Sequence, residues 1–203
     1  MKKVSIVIVV VVVAIAAWLV LRKKDSTPEA PKQQALAISK NSDAFNHGFN
    51  TMLENYYSLK NAFVEWDTAS VMKAAAVLAA STEKVPFSEL KGDTTIKETA
   101  KTFAESIAAE SNTIIGAPGI EEKRRAFYTL SESLYNLVRT VHYDQTVIYH
   151  VSCPMAFNDS EEASWISGTN QVENPYLGKK HPKYKGTMVE CGAVQDSIDF
   201  RQK

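Results

Sequence analysis

Between Phe45 and Trp66, apolar residues recur at alternating steps of four and three: Phe45, Phe49, Met52, Tyr56, Leu59, Phe63 and Trp66. This is the spacing of one buried stripe on an α-helix. Asp67 is placed to cap a second helix with the stripe Val71, Ala75, Leu78 and Thr82. It must end near Val85, because the residue before Pro86 is disfavoured in helical conformation. A third helix starts at Asp93 or Thr94 and carries Ile96, Ala100, Phe103, Ile107 and Ile114 before the breakers Gly116, Pro118 and Gly119. In a fourth, Glu121 and Glu122 occupy the first turn, where the positive end of the helix favours acids, and Ile120, Phe127, Leu130, Leu134, Leu137 and Val141 form the stripe.

Past Gln145 the period changes. Thr146 to Ser152 alternates as a short strand, a stretch rich in turn formers follows, and a second strand-like run spans Thr187 to Val194. At the other end every residue from Val4 to Leu21 except Ser5 is apolar, and at a rise of about 1.5 Å per residue the run just spans a hydrocarbon core. The predicted fold class is therefore all-α: an antiparallel four-helix bundle with a small irregular or β-hairpin C-terminal cap, preceded by one transmembrane helix. The predicted organisation is an anchor at 1–24, a Pro-containing tether at 25–40, the bundle at 41–145 and the cap at 146–203. Ala14 and Ala16 also make a small-x-small site, so secretion after signal-peptide cleavage is the alternative to an inner-membrane, single-pass anchor with the soluble domain in the periplasm.

Composition narrows the partners. The 203 residues contain 23 basic and 23 acidic side chains, which leaves no charge excess to hold a phosphate backbone, so nucleic acid is not an expected partner. No Gly-rich phosphate loop, G-x-S-x-G elbow or C-x-x-C pair is present. With no nucleophile, base and orienting group in a recognisable arrangement, an enzyme is not expected.

The candidate chemistry lies in the cap. Both cysteines are there and each has a methionine close by, as Cys153-Pro154-Met155 and Met188-Val189-Glu190-Cys191. Thiolate and thioether sulfurs are soft ligands that suit copper(I) or a similar soft ion, and His150, or less readily His181, would add nitrogen. Zinc fits by ligand type, but the spacing matches no common zinc module. A Cys153–Cys191 disulfide or two separate buried thiols explain the same residues without metal, with the methionines as core filler.

Tyr149, the run Cys153-Pro154-Met155-Ala156-Phe157, Ala163 with Trp165-Ile166-Ser167, Asn174-Pro175-Tyr176-Leu177-Gly178, and Met188 with Cys191-Gly192 form a distinctive set. Upstream stand Tyr57 to Ala62, Arg125-Ala126-Phe127, Leu130-Ser131 and Leu134. In these residues the chain resembles a bacterial family, domain of unknown function 3347, found alone or appended to periplasmic adaptor subunits of heavy-metal efflux pumps. The resemblance implies a periplasmic helical bundle that holds copper or a related ion through Cys153, Met155, Met188 and Cys191, with metal-efflux components as partners. Lys179 to Thr187 looks like an insertion relative to the family pattern. The leading expectation is a membrane-anchored periplasmic protein that binds a soft metal ion for handling or export; the alternative is a disulfide-braced scaffold or interaction module of the cell envelope.

Overall fold

A computed structural model describes residues 40–201. Four helices come first: α1 (Asp43–Val64), α2 (Thr68–Thr82), α3 (Thr94–Gly116) and α4 (Ile120–Thr140). Each begins where local chemistry allows. The Ser42 side chain accepts the Phe45 N–H, Asp67 accepts those of Ala69 and Ser70, and Asp93 accepts that of Ile96, so donors left without partners by the first turn are satisfied. α2 stops short of Pro86, and a 3₁₀ turn, Phe87–Glu89, follows.

The ends of α1 and α4 share an unusual closure. Asp67 N–H donates to Ala62 O and Trp66 N–H to Phe63 O; likewise Tyr143 N–H donates to Val138 O and His142 N–H to Arg139 O. This is the Schellman arrangement, whose left-handed position is normally glycine. Here Trp66 (φ 61°) and His142 (φ 49°) occupy it. Trp66, which continues the apolar stripe by spacing, is thus turned away from the helix it was expected to belong to.

Consecutive helices pack side by side, and α1 meets α4 through aromatic rings. The buried faces are largely the predicted stripes, but on α3 Ile96 is exposed and Phe103 half-buried, with Ala104 and Ser111 completing the inner face. Lys123, buried in α4, donates through Nζ to Ile114 O and Ala117 O, both at 2.6 Å. It thereby places a cation at the negative end of α3. Lys123→Met leaves those carbonyls unsatisfied and is expected to lower unfolding free energy by about 1–3 kcal/mol, measured by urea denaturation.

The cap is a three-stranded antiparallel sheet in the order β2-β1-β3, formed by β1 (Ile148–Phe157), β2 (Glu161–Ser167) and β3 (Ala193–Ile198). β1 pairs with β2 from Tyr149↔Ser167 to Cys153↔Ala163, and with β3 from Ile148↔Ile198 to Ser152↔Ala193. Between β1 and β2, Asn158 and Asp159 both take positive φ, and Ser160 N–H closes on Phe157 O at 3.1 Å. Two such residues are the signature of a tight hairpin turn.

The all-α class is therefore corrected to α+β, and the cap, expected to be irregular or a β-hairpin, contains a three-stranded sheet. The expectation failed at β2 because Ala163 to Ser167 are all buried, so no polar alternation marks the strand. It failed at Thr187 to Val194 because 187–190 form a turn and the strand begins at Ala193. Among the described residues no helix is long and apolar enough to cross a membrane. The span read at 4–21 lies outside those residues.

Helices and sheet share one apolar core. Tyr56 ties three elements together: its hydroxyl pairs with Ser131 of α4 at 2.8 Å and accepts the Ile166 N–H of β2 at 3.1 Å.

Candidate functional site

β1 carries Cys153, fully buried opposite Ala163, and Cys191 stands just before β3. The two are joined in a disulfide with Cα atoms 5.8 Å apart, an ordinary span for the bond. It ties β1 to the end of the long segment that follows β2. That segment is organised by Asn174, itself buried. Its Oδ1 accepts the N–H groups of Tyr176 (2.8 Å) and Leu177 (2.9 Å), its Nδ2 donates to Cys191 O (2.7 Å), and its N–H donates to Val189 O (2.7 Å). One side chain thus holds the Asn-Pro-Tyr turn against the Cys191 strand entry.

The neighbouring motif residues are equally architectural. Tyr176 is buried with ring centres 5.3 Å from Phe157 and 6.0 Å from Trp165 and Phe127. At Gly178 a Cβ would stand 2.5 Å from Val64 O, and at Gly192 (φ 139°) it would stand 2.7 Å from Ser152 O. No side chain fits either place. Lys179 N–H then donates to Val64 O at 2.7 Å, which pins the next loop to the end of α1. In that loop Lys179 pairs with Glu65 and Lys183 with Asp159 at the surface.

His150 has a different engagement. Its Nε2 pairs with Glu132 Oε1 of α4 at 3.2 Å and its ring stacks on Tyr135 at 4.2 Å. It precedes Cys153 by three positions on a strand, where side chains alternate faces, so the two point to opposite sides of the sheet. Met155 and Met188 are half-buried against the core, and Cys191 N–H closes a turn on Met188 O at 3.0 Å. His181 lies apart, packed on Trp66. Of the five residues read as metal ligands, the fold joins Cys153 directly to Cys191 and turns His150 away from them.

That arrangement decides the fit for copper(I). A disulfide presents no thiolate, and a histidine bound to Glu132 is not aimed at the sulfurs, so the donor set as it stands does not suit a soft cation. Among the described residues no group of three or more His, Cys, Asp or Glu is gathered in metal-binding range. A groove of about 650 Å³ between α1 and α2 is lined mostly by small and apolar residues such as Ala44, Gly48, Val77 and Ala80, with His47 and Lys84 at its rim.

Glu132 is a polar centre that periodicity did not single out. It accepts from both His150 and Ser164, and the bond from His150 is the larger cause of a carboxyl held below its usual range. A folded-state carboxyl of lowered pKa binds fewer protons than the unfolded one. Its stabilisation is therefore present above pH about 4.5 and is lost as pH falls through the folded value. Glu132→Gln should flatten the loss of stability between about pH 5 and pH 3, followed by urea midpoints across that range; an unchanged slope would rule the pair out as its source.

With this geometry in place, residues 52–146 match the family model described as Protein of unknown function (DUF3347). This stretch belongs to that family. The match covers α1 from Met52 through β1's approach, while the Cys, Asn-Pro-Tyr and Cys-Gly motifs lie beyond it. No curated protein and no solved structure matches the chain.

Proposed function

We propose that this DUF3347 chain is a disulfide-braced helical interaction module of the cell envelope, not an enzyme, working in an oxidising compartment such as the periplasm. The observation that carries the reading is the Cys153–Cys191 bond, which uses both cysteines of the chain and closes a separation of 38 residues. Structural disulfides persist where thiols are not kept reduced. The surrounding motif residues support it. Asn174, Tyr176, Gly178 and Gly192 shape and brace the cap rather than line a reactive cleft.

A second reading follows from the same juxtaposition. Reduction would leave two thiols whose Cα atoms are 5.8 Å apart, beside half-buried Met155 and Met188, a donor set suited to copper(I) or a related soft ion. Under that reading the metal-efflux components are the expected partners.

Native protein is alkylated and weighed before and after reduction, and both forms compete for Cu⁺ against a chromophoric chelator. The braced-module reading expects no alkylation until reduction and no competition by the native form. Two reactive thiols in the native protein, with tight Cu⁺ binding lost in Cys153→Ser/Cys191→Ser, would replace it with metal handling.

A further inference from the structure

Arg124, near the start of α4, is 3% exposed, and its Nε and Nη2 are buried without a hydrogen-bond partner. These two nitrogens form one edge of the guanidinium. Their N–H bonds run parallel, the pair that grips a carboxylate or phosphate through two oxygens. The nearby Glu121 favours the cation electrostatically but makes its ion pair with Arg125 instead, at 3.4 Å. Burial pulls the Arg124 pKa down to about 9, which still leaves a cation at neutral pH.

The face of the same guanidinium lies 3.5 Å from the Trp66 ring centre. That contact offsets the charge but leaves the N–H groups unmet. Trp66 is also the bulky residue held at φ 61°, in a position that glycine normally fills. A conformation this unfavourable persists only where its surroundings enforce it, and such outliers gather at ligand sites. An unpaired buried cation and a strained aromatic therefore meet at one spot.

His181 completes it. Its Nδ1 accepts the N–H groups of Lys183 (3.1 Å) and Tyr184 (3.3 Å), so a neutral ring carries its proton on Nε2 as a further donor. The ring packs edge-on against Trp66 at 4.9 Å. The surrounding loop, Lys179 to Thr187, is rich in lysine and held down by the exposed pairs Lys179–Glu65 and Lys183–Asp159. Such pairs part readily in water and salt, which gives an anion a way in.

We propose that Arg124, Trp66 and His181 form a binding site for a small oxyanion that sets two oxygens against the Nε/Nη2 edge, as phosphate or a carboxylate does. The site is separate from the disulfide and stands whether or not the braced-module reading holds. Burial and the Arg124 charge hold the His181 imidazole below its ordinary pKa, and an anion bound beside it would raise that pKa.

The test uses the full chain, titrated with inorganic phosphate and separately with sodium acetate, against sodium chloride at matched ionic strength. The readouts are the ¹⁵N-resolved Nε–H signal of Arg124, the fluorescence of Trp66 identified by comparison with Trp66→Phe, and the titration of His181. The site predicts a saturable shift of the Arg124 signal with phosphate or acetate, a fluorescence change absent in Trp66→Phe, and a raised His181 pKa. Arg124→Lys keeps the charge but lacks the parallel edge, so affinity should fall about tenfold, the worth of one charge-assisted hydrogen bond. A response that chloride reproduces, an Arg124 signal in wild-type protein that neither anion moves, or undiminished binding by a folded Arg124→Lys protein would overturn the proposal.

Discussion

Phe127→Ala is expected to lower unfolding free energy by about 3–5 kcal/mol, enough to leave a marginal domain partly unfolded. Phe127 is fully buried on α4, with ring centres 5.4 Å from Tyr56, 4.9 Å from Phe63 and 6.0 Å from Tyr176. Those partners belong to α1 and to the segment after β2, so one ring fills the joint between helices and cap. Alanine leaves a cavity among three large side chains that cannot all close on it. Guanidinium unfolding followed by both tryptophan fluorescence and far-ultraviolet circular dichroism would measure the loss. A change below about 1 kcal/mol would show that the joint collapses freely and that this packing is not what unites the two parts.

Removing the disulfide should have the next largest effect. Cys153→Ala/Cys191→Ala releases a constraint across 38 residues of chain and is expected to cost about 2–4 kcal/mol, mostly through the greater freedom of the unfolded state. Reduction of the wild-type protein should produce a comparable drop in melting temperature, and the double variant should then be insensitive to reductant. Asn174 still fastens the Cys191 segment, but the lost constraint lies wholly within the cap, so the cap should loosen before the helices melt. Faster amide exchange confined to β3 and 174–191 would be its sign. Uniform loss of protection would instead mean that cap and bundle unfold as one unit.

The helices were legible along the chain because what makes them is local. The stripe of Phe45, Phe49, Met52, Tyr56, Leu59 and Phe63, the caps Asp67 and Asp93, and the breakers around Pro86 and Pro118 act over a few residues. Their positions in sequence and in space coincide. Strand β2 was not legible, because a strand covered on both faces has no polar side to alternate with. The Asn158-Asp159 pair was a usable signal for it, since two residues tolerant of positive φ between Phe157 and Glu161 mark a hairpin.

The candidate site divides along the same line. That Cys153, Met155, Met188 and Cys191 carry the distinctive sulfur chemistry is a property of residue type, and so is the even cysteine count that left a disulfide open. Which of those sulfurs meet, and that His150 turns to Glu132 instead, depends on strand register and on which face of β1 each residue occupies. The isolation of Arg124 is further still from sequence. Arg124 and Arg125 are adjacent and chemically alike, yet Arg125 reaches Glu121 and Glu161 at the surface while Arg124 is buried beneath Trp66. A helix turns about 100° per residue, so neighbours in sequence face different surroundings, and only the packed tertiary structure gives one arginine carboxylate partners and the other an aromatic face.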